Sequence, residues 1–178
     1  MSRSNFGFNI EQFFNEAKND QVEEQFEDEL GSFSDLVGQH YDLKFFLEDP
    51  RIAAEVKKQR LEELCPPNIS RNFLRLVFFL IDNGREELIE EASLGLTKLV
   101  AQEKEIMFGR VSSFFPLSEK QKAALIKSMS AIEKMPVRLR YVIDGSLLGG
   151  FNVRFINGRV WDTSIKYRLN NLKEELLR

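Results

Sequence analysis

The sequence predicts an α+β protein in which a bundle of six helices precedes a small C-terminal domain, built in the order strand, helix, strand, hairpin and helix. Apolar residues recur every three or four positions through most of residues 1–105, which is the period of amphipathic helices. After residue 106 the pattern changes to alternating runs rich in β-forming residues. Asn157-Gly158 then separates two short apolar runs and is a strong hairpin signal. We therefore expect two domains, at residues 1–105 and 106–178.

Four short helices are expected first, and two of them end at proline. Their predicted ranges are 9–19, 21–37, 42–47 and 51–64. The third ends before Asp49-Pro50, because proline disfavours a helical conformation in the residue before it. Pro66-Pro67 stops the fourth in a similar way. The apolar positions of the fourth helix, which we expect to face inward, are Ala53, Val56, Leu61 and Leu64.

The fifth helix carries the most apolar run of the chain, FLRLVFFLI, and is expected at the centre of the bundle. Asn68 or Ser70 is placed to cap its start, and Asn83-Gly84 is typical of a left-handed helix end. Apolar residues extend nearly all the way round it, as in buried helices. A sixth helix is predicted over residues 85–105. Its central Gly95 costs about 1 kcal/mol relative to alanine, so we expect another helix to approach closely there.

The C-terminal domain is expected to begin with a strand over residues 107–115. Ser118 and Gln121 have the spacing of a capping box, which predicts the start of the next helix. Residues 137–143 alternate between apolar and polar types, as in a half-buried strand. Asp162 or Thr163 is expected to cap the final helix. The apolar positions of that helix are Ile165, Leu169, Leu172 and Leu176.

The hairpin around Asn157-Gly158 is expected to have a two-residue turn of the primed type. Such a turn would pair Arg154 with Trp161, so that the guanidinium could lie over the indole ring. It would also pair Phe155 with Val160. The residues then expected to share one face of the hairpin are Phe151, Val153, Phe155 and Val160.

Charge is distributed unevenly along the chain, although its net value is only −3. Residues 1–106 contain 12 Lys+Arg and 22 Asp+Glu, whereas residues 107–178 contain 13 and 6, giving net charges of −10 and +7. A basic half that meets an acidic partner is one interpretation, and an ordinary solvated surface is the other. No segment has the eighteen or so apolar residues of a membrane helix, and the N-terminus lacks the apolar core of a secretory signal.

The residues that carry most enzyme chemistry are scarce. Cys65 and His40 are the only cysteine and histidine, and no motif relates them, so neither a disulfide nor a histidine-rich metal site is expected. The glycines from Gly145 to Gly150 precede a strand and lack the Lys-Ser/Thr end of a phosphate-binding loop. The many carboxylates lie on a predicted helix face without a partner that would tune their acidity. The sequence predicts no catalytic, cofactor or metal site.

A nucleic-acid-binding adaptor, or another protein–protein adaptor, remains an alternative because of the basic C-terminal half. Two basic residues that could contact nucleic acid, Lys57 and Lys58, lie in the first half of the chain. Those in the second half are Arg138, Arg140, Arg154, Arg159, Lys166 and Arg168. Binding of single strands would require exposed aromatic side chains on the same face as these cations. Tyr141 and Trp161 are the suitable candidates.

One ordered set of residues near the C-terminus is more specific. An acidic residue, a leucine and a glycine pair precede an alternating strand with a basic residue, and Asp-x-Ser then leads to a helix with Arg-Leu. These residues are Asp144, Leu147, Gly149, Gly150, Val153, Arg154, Asp162, Ser164, Arg168 and Leu169. This order resembles the signature of the F-type ATP synthase delta subunit family, which includes the mitochondrial oligomycin sensitivity conferral protein.

The resemblance extends over nearly the whole chain. NFLRL at residues 72–76, followed by Asn83-Gly84-Arg85, is similar to the family's central helix, and Pro116-Leu117-Ser118 is similar to the start of its C-terminal helix. Two features depart from the usual pattern. The spacing from Arg154 to Asp162 is one residue longer, and the N-terminal Tyr-Ala-x-Ala-Leu-Phe pattern is poorly kept.

The resemblance implies a non-catalytic stator subunit that links the tip of the catalytic head to the peripheral stalk. Its helical domain would hold the N-terminal helix of an alpha subunit in a groove between the first and fifth helices. The groove residues would be Phe14, Ala17, Phe73, Leu76, Val77 and Leu80, each of which could equally be core. The C-terminal domain would take the C-terminal end of a b-type stalk subunit, and the glycine pair would be structural.

The same resemblance implies a place in the cell. The chain would lie in the bacterial cytoplasm, at the cytoplasmic face of the inner membrane, and would meet the membrane only through the complex. No direct contact with nucleic acid and no cofactor is expected.

Overall fold

A computed structural model describes residues 9–167 and 169 of the chain. The chain divides into two compact units, residues 1–100 and 101–178, and the division falls within the last helix of the first unit. The predicted boundary at residues 105/106 lies just after the end of that helix. Helices come first and a small sheet follows, so the predicted α+β class is confirmed. Among the described residues, no helix is both long and apolar enough to cross a bilayer.

Unit 1 is helical. Its elements are α1 (Ile10–Asn19), α2 (Glu23–Gln39), α3 (Tyr41–Glu48), α4 (Ala54–Leu64), α5 (Arg71–Asp82), a 3-10 turn (Glu86–Leu88) and α6 (Ile89–Lys104). The predicted ends agree to within about three residues, except that the sixth helix begins with the 3-10 turn. The side chain of Asn9 caps α1 by accepting a hydrogen bond from the Glu11 N–H at 2.9 Å.

α5 is the most apolar helix of unit 1, as predicted, and its ends are capped. Ser70 is the N-cap, and its hydroxyl accepts a hydrogen bond from the Phe73 N–H at 3.2 Å. The Glu29 carboxylate on α2 accepts the Ser70 N–H at 3.0 Å, which places negative charge at the positive end of the α5 dipole. Gly84 follows the helix with φ of +59°, the left-handed conformation expected at a helix end.

Gly95 allows α1 and α6 to pack closely, as expected for a glycine in the middle of a helix. A Cβ atom at this position would lie 3.3 Å from Cγ2 of Ile10. Two residues further along α6, the Thr97 hydroxyl donates to Oε1 of the buried Glu27 at 2.6 Å. α6 therefore contacts α1 through a small residue and α2 through a buried polar pair.

The inward face of α4 differs from the prediction. Leu61 is buried as expected, but Val56 is exposed and Leu64 is 76% exposed. Lys57 is buried instead, and its ammonium lies 2.6 Å from Oε1 of Glu86, with both side chains no more than 7% exposed. A pattern of apolar residues cannot indicate a buried lysine, because the carboxylate that compensates its charge is 29 residues away in sequence.

Unit 2 contains a mixed four-stranded sheet with one described helix packed on it. Its elements are β1 (Met107–Ser113), α7 (Glu119–Glu133), β2 (Val137–Ile143), a 3-10 turn (Gly145–Leu147), β3 (Phe151–Phe155) and β4 (Val160–Asp162). The strand order is β2-β1-β3-β4; β1 and β2 are parallel and the other pairs antiparallel. α7 is the crossover between the parallel strands. Ser118 and Gln121 form the predicted capping box at its start.

The two faces of this sheet have different character. One face packs against Leu125 and Met129 of α7, and its buried residues are Val111, Val137, Leu139, Val153 and Phe155. The opposite face carries arginines. Arg110 on β1 is paired with Arg140 on β2 and with Arg154 on β3, so three arginines form a row across neighbouring strands.

The hairpin register differs from the prediction by one residue. Arg154 pairs with Val160, and Val153 pairs with Trp161, so the expected Arg154–Trp161 stack does not form. Val160 shares a face with Arg154, and not with Val153. The Phe155 N–H donates to the Arg159 carbonyl at 2.9 Å, which closes a loop of three residues, 156–158.

The turn chemistry explains this register. Gly158 has φ of +84°, whereas Asn157 is not among the residues with positive φ. Both primed two-residue turns need positive φ at their first central residue, which would be Asn157, whereas a three-residue loop needs it only at its last residue. The Asn157 side chain accepts the Arg159 N–H at 3.0 Å and so stabilises the longer loop.

The residue that caps the final helix is Ser164, and neither Asp162 nor Thr163. Its hydroxyl accepts the Tyr167 N–H at 3.2 Å, and its own N–H donates to Oδ1 of Asp162 at 2.8 Å. Residues 165–167 are helical. Of the predicted apolar positions, Ile165 and Leu169 are exposed, and Leu172 and Leu176 lie outside the described residues.

Candidate functional site

The structure brings the six predicted groove residues together, but in the interior of unit 1. All of them are at most 7% exposed, and they are Phe14, Ala17, Phe73, Leu76, Val77 and Leu80. They hold α1 against α5 as core residues. A partner would therefore contact the other side chains that border these two helices. The assignment of a groove to α1 and α5 stays a prediction.

The surface seam between α1 and α5 shows how these helices run. From one end to the other, its contacts are Asn72 with Asp20, Arg75 with Glu16, and Phe79 with Phe13. Residue numbers rise along α5 as they fall along α1, so the two helices are antiparallel.

Two kinds of contact make up this seam. The Arg75 guanidinium lies 2.7 Å from the Glu16 carboxylate, and both side chains are exposed. The half-buried rings of Phe13 and Phe79 are 5.7 Å apart. The seam thus combines an aromatic pair with a charged pair, which suits an amphipathic helix lying along it.

The signature residues of unit 2 hold a turn and a hairpin together. Leu147, Val153 and Ser164 are buried. Asp162 fixes the start of the final helix, as described above, and Arg154 is exposed. Leu169 is helical and exposed, whereas Arg168 lies outside the described residues.

Other parts of the chain pass close to the backbone of the glycine pair. Gly150 has φ of +77°, and a Cβ there would lie 2.8 Å from the carbonyl oxygen of Thr163. Gly149 has φ of +146°, and a Cβ there would lie 2.6 Å from Cδ1 of Ile165. The Ile165 N–H donates to the Gly149 carbonyl at 3.0 Å. The structural role of the glycine pair stays a prediction.

Asp144 closes the loop after β2. Its N–H donates to the Ser113 carbonyl at 2.9 Å, and its Oδ1 accepts the Ser146 N–H at 2.9 Å. Hydrogen bonds from the side chain and backbone of Ser146 hold the pKa of Asp144 below its ordinary value of 3.8. Asp144 is therefore ionised at neutral pH and acts as a turn residue.

A cavity of about 500 Å³ lies beside α7 in unit 2, and the sequence did not indicate it. Its lining is mainly apolar and comes from three places. α7 supplies Gln121, Ala124, Leu125 and Ser128; the segment after β1 supplies residues 113–117; and the start of β3 supplies Gly150 and Phe151. The available sequence signal was the small pair Ala124 and Ser128, which recur at four-residue spacing on α7 next to the core positions Leu125 and Met129.

The arginine row lies on the face away from α7, and the aromatic residues named for nucleic-acid binding do not share it. Tyr141 pairs with Val111, and Trp161 pairs with Val153. Because paired residues share a face, both rings lie on the α7 side. Phe108 is on the arginine face but is buried, with the Arg138 guanidinium 5.8 Å from its ring centre. The arrangement that single-strand binding needs is not present in the described sheet.

The remaining candidates for chemistry are metal-ligating side chains and the Cys65 thiol. Within residues 9–167 and 169, no cluster of three His, Cys, Asp or Glu side chains is placed to hold a metal ion. Burial, and then the nearby Glu29 and Glu62, raises the pKa of the Cys65 thiol above 9.0. The thiol is therefore protonated at neutral pH and weakly nucleophilic.

Comparison with known proteins gives one consistent answer. The family model described as "ATP synthase delta (OSCP) subunit" matches residues 12–176. The chain is 30% identical to the ATP synthase subunit delta of Bacillus cytotoxicus and 31% identical to that of Bacillus mycoides, in each case over 93% of this chain and 91% of the relative. A solved chain of the Toxoplasma gondii mitochondrial ATP synthase hexamer shares the fold, with a TM-score of 0.59, 17% identity and 95% of both chains covered. With a match that includes both units, the chain belongs to the ATP synthase delta (OSCP) subunit family.

Proposed function

We propose that this chain, a structural subunit of the ATP synthase peripheral stalk, joins the N-terminal helix of an alpha subunit to the C-terminal end of a b-type stalk subunit. Unit 1 would bind the alpha helix, and unit 2 would bind the stalk. The observation that carries the proposal is the family match over residues 12–176, because it includes both units. Such a link resists torque through broad, slowly dissociating contacts and needs no acid–base groups.

The α1/α5 seam supports the assignment of the alpha helix to unit 1. Its Phe13–Phe79 pair offers apolar area, and its Glu16–Arg75 pair offers charges for orientation. An amphipathic helix lying along two antiparallel helices contacts both through residues three and four apart.

We place the chain at the bacterial cytoplasmic face of the inner membrane, where it would meet the membrane only through the other subunits. The bacterial relatives support this location.

The test uses the full-length protein and two synthetic peptides, one from the alpha N-terminus and one from the C-terminal end of the b subunit of the same organism. Calorimetric titration should show binding of each peptide, and each should bind in the presence of the other. Phe79→Glu should weaken binding of the alpha peptide at least about tenfold, because it places a charge in an apolar contact. Binding of the b peptide should be unchanged.

The matched control is Phe45→Glu, which alters an exposed phenylalanine on α3. It should leave both affinities unchanged, and thermal melts should show that both variants are folded. A folded wild-type protein that binds neither peptide, and does not co-purify with ATP synthase subunits, would contradict the proposal.

A further inference from the structure

We propose that the outer edge of β2 is an interaction surface that takes up an extended segment of a partner protein as an additional strand. That segment carries carboxylates at alternating positions, with apolar residues between them. This partner is additional to the alpha and b-type segments of the proposed function. The position of β2 in the sheet, its backbone groups and its arginines point to it.

The two edges of the described sheet differ in length. β4 forms one edge with three residues, whereas β2 forms the other with seven. All seven residues of β2 are paired in register with β1, without a bulge, and no proline lies within the strand. A short strand, a bulge or a proline protects an edge from pairing with another strand. β2 has none of these protections.

Hydrogen bonds at the two ends of β2 show which of its backbone groups face β1. The Met107 N–H on β1 donates to the Pro136 carbonyl at 2.8 Å, and the Asp144 N–H donates to the Ser113 carbonyl on β1 at 2.9 Å. The direction of the backbone groups alternates from residue to residue along a strand. Even-numbered residues of β2 therefore direct their N–H and C=O groups toward β1, and odd-numbered residues direct theirs outward.

The outward groups in the middle of the strand belong to Leu139 and Tyr141. Among residues 9–167 and 169, no other backbone group forms a hydrogen bond with the N–H or C=O of either residue. An added strand would satisfy these donors and acceptors. Main-chain hydrogen bonds of this kind provide the affinity when a peptide extends a sheet, and the alternating side chains provide the specificity.

The side chains along this edge determine the chemistry of the added strand. Arg138 and Arg140 lie on the sheet face away from α7. Leu139 and Tyr141 lie on the opposite face and belong to the apolar core beside α7. Because paired residues of neighbouring strands share a face, the added strand needs carboxylates on the arginine face and apolar side chains on the other. These two requirements alternate along its sequence.

A second copy of β2 is a poor partner for the same reason. Two identical edges related by a twofold axis pair in antiparallel fashion and keep equivalent side chains on the same face. Arg138 and Arg140 of one copy would then lie beside the same arginines of the other, and like charges on neighbouring strands repel. The arginines thus disfavour self-association of this edge while they attract an acidic strand.

The test uses the full-length protein and a synthetic peptide as long as β2, in which valine and glutamate alternate. A control peptide has the same composition, with its glutamates together at one end. NMR of the isotope-labelled protein at about 1 mM peptide detects weak complexes. The alternating peptide should slow hydrogen exchange of the Leu139 and Tyr141 amides at least about threefold, because they become hydrogen-bonded. The control peptide should slow it less than about 1.5-fold.

Two charge reversals on the same sheet face test the chemistry of the partner. Arg140→Glu changes the edge strand, whereas Arg154→Glu makes the same chemical change on β3, which β1 separates from the edge. Arg140→Glu should weaken binding of the alternating peptide at least about fivefold at about 20 mM salt, because carboxylates then face each other. Arg154→Glu should weaken it less than about twofold, since screening and distance reduce its effect. Circular dichroism melts show whether both variants are folded.

The alternative results each contradict the inference. Equal effects of the two peptides on the Leu139 and Tyr141 amides, or none, would show that the edge does not take up an alternating acidic strand. Equal weakening by Arg140→Glu and Arg154→Glu would show that general charge, and not the edge, attracts the peptide. A wild-type dimer in analytical ultracentrifugation that the peptide dissociates would show that the edge pairs with itself.

The b peptide distinguishes this inference from the proposed function. It should leave the exchange of the Leu139 and Tyr141 amides unchanged, and the alternating peptide should bind in its presence. If the b peptide protects these two amides, the edge belongs to the stalk contact, and the inference of an additional partner is wrong while the proposed function stands. If the b peptide does not bind at all, the proposed function fails without affecting the edge.

Discussion

Individual residues with unusual backbone conformations set the path of the chain in unit 2. Gly150 and Gly158 both have φ near +80°, but their surroundings differ. Gly158 lies in open space at the hairpin tip, whereas Gly150 lies directly beneath the backbone of residues 163 and 164. Replacement of Gly158 therefore strains only the turn, while replacement of Gly150 also displaces the start of the final helix.

Gly150→Ala is expected to destabilise unit 2 by about 2 kcal/mol, because positive φ and a 2.8 Å contact with a backbone oxygen act together. Urea denaturation followed by tryptophan fluorescence checks this, since Trp161 is the only tryptophan and lies in unit 2. Gly145→Ala is the matched control, because a Cβ there meets nothing within 4 Å. Equal effects of the two substitutions would refute the close approach at Gly150.

Asp49 makes the stability of unit 1 depend on pH in the acid range. The side chain of Arg51 donates hydrogen bonds to the carboxylate, at 2.7 Å to Oδ2, and these bonds with the Arg51 N–H lower the pKa of Asp49 to about 2. Because the folded-state pKa lies below the ordinary value of 3.8, this contribution is fully present above pH 3.8. It is lost as the pH falls towards 2.

Asp49→Asn should therefore lower the melting temperature of unit 1 at pH 6 and have a smaller effect at pH 2. Thermal melts by far-UV circular dichroism over this range provide the measurement. The control is Asp42→Asn at an exposed position on α3. Its effect on the melting temperature is not expected to shrink as the pH falls to 2. If the melting temperatures of Asp49→Asn and the wild type differ by the same amount at every pH, ionisation of Asp49 does not contribute to stability.

At the scale of elements, periodicity predicted most helices and strands, because their apolar positions and caps are local. Ser70, Gln121 and Gly84 mark their boundaries by chemistry that a reader of the sequence can see. Two errors have the same physical origin. The inward face of α4 and the register of the hairpin both depend on partners that periodicity does not encode, Glu86 in the first case and the conformation of Asn157 in the second.

The candidate surfaces were harder to predict than the elements. The six apolar residues chosen for the groove were those with the strongest helical period, and strong periodicity selects core residues. Residues of the seam, such as Phe13 and Phe79, recur with the same helical period but lie at the border of the apolar face, where they are half-buried. The cavity in unit 2 is lined by three separate segments, so no single stretch of sequence predicts it.

Lys57 on α4 and Glu86 in the 3-10 turn form a buried ion pair in unit 1. Removal of one partner, as in Lys57→Met, leaves the Glu86 carboxylate buried without its counter-charge and is expected to cost about 3–5 kcal/mol. The double variant Lys57→Met, Glu86→Leu should be less unstable than the sum of the single variants. Chemical denaturation followed by circular dichroism measures both.

The control for this pair is on the surface. Lys44 and Glu48 on α3 are 3.9 Å apart and exposed, so Lys44→Met should change stability by no more than about 1 kcal/mol. Additive effects at Lys57 and Glu86 would mean that the two buried groups do not interact.

At the scale of the whole molecule, the two halves carry opposite net charges. The basic half is therefore expected to attract acidic molecules nonspecifically. The arginine row of Arg140, Arg110 and Arg154 places like charges on paired positions, which is unfavourable within an isolated sheet. Acidic surfaces should therefore be attracted to this face at low ionic strength. The absence of exposed aromatic residues from the described part of the row argues against selective stacking on bases.

We accordingly expect duplex and single-stranded oligonucleotides to bind only weakly at about 20 mM salt and to dissociate by about 150 mM salt. Fluorescence anisotropy with labelled oligonucleotides provides the measurement. Arg154→Ala should reduce the weak binding without sequence preference, and the exposed Arg75→Ala in unit 1 is the control. Tight, sequence-dependent binding at the higher salt concentration would restore the nucleic-acid hypothesis.

The position of β1 in the sheet has a consequence for how the protein is made. β1 directly follows the helices in sequence, yet it is an interior strand, bordered by β2 on one side and β3 on the other. The second edge of β1 can be covered only after residues 151–155 have been synthesised. All helices of unit 1 precede those residues in the chain and are synthesised earlier. Long-range strand pairing is slow compared with the packing of local helices, and domains fold as units in order of synthesis. The nascent chain is therefore expected to pass through a stage in which unit 1 is complete while one edge of β1 is still uncovered.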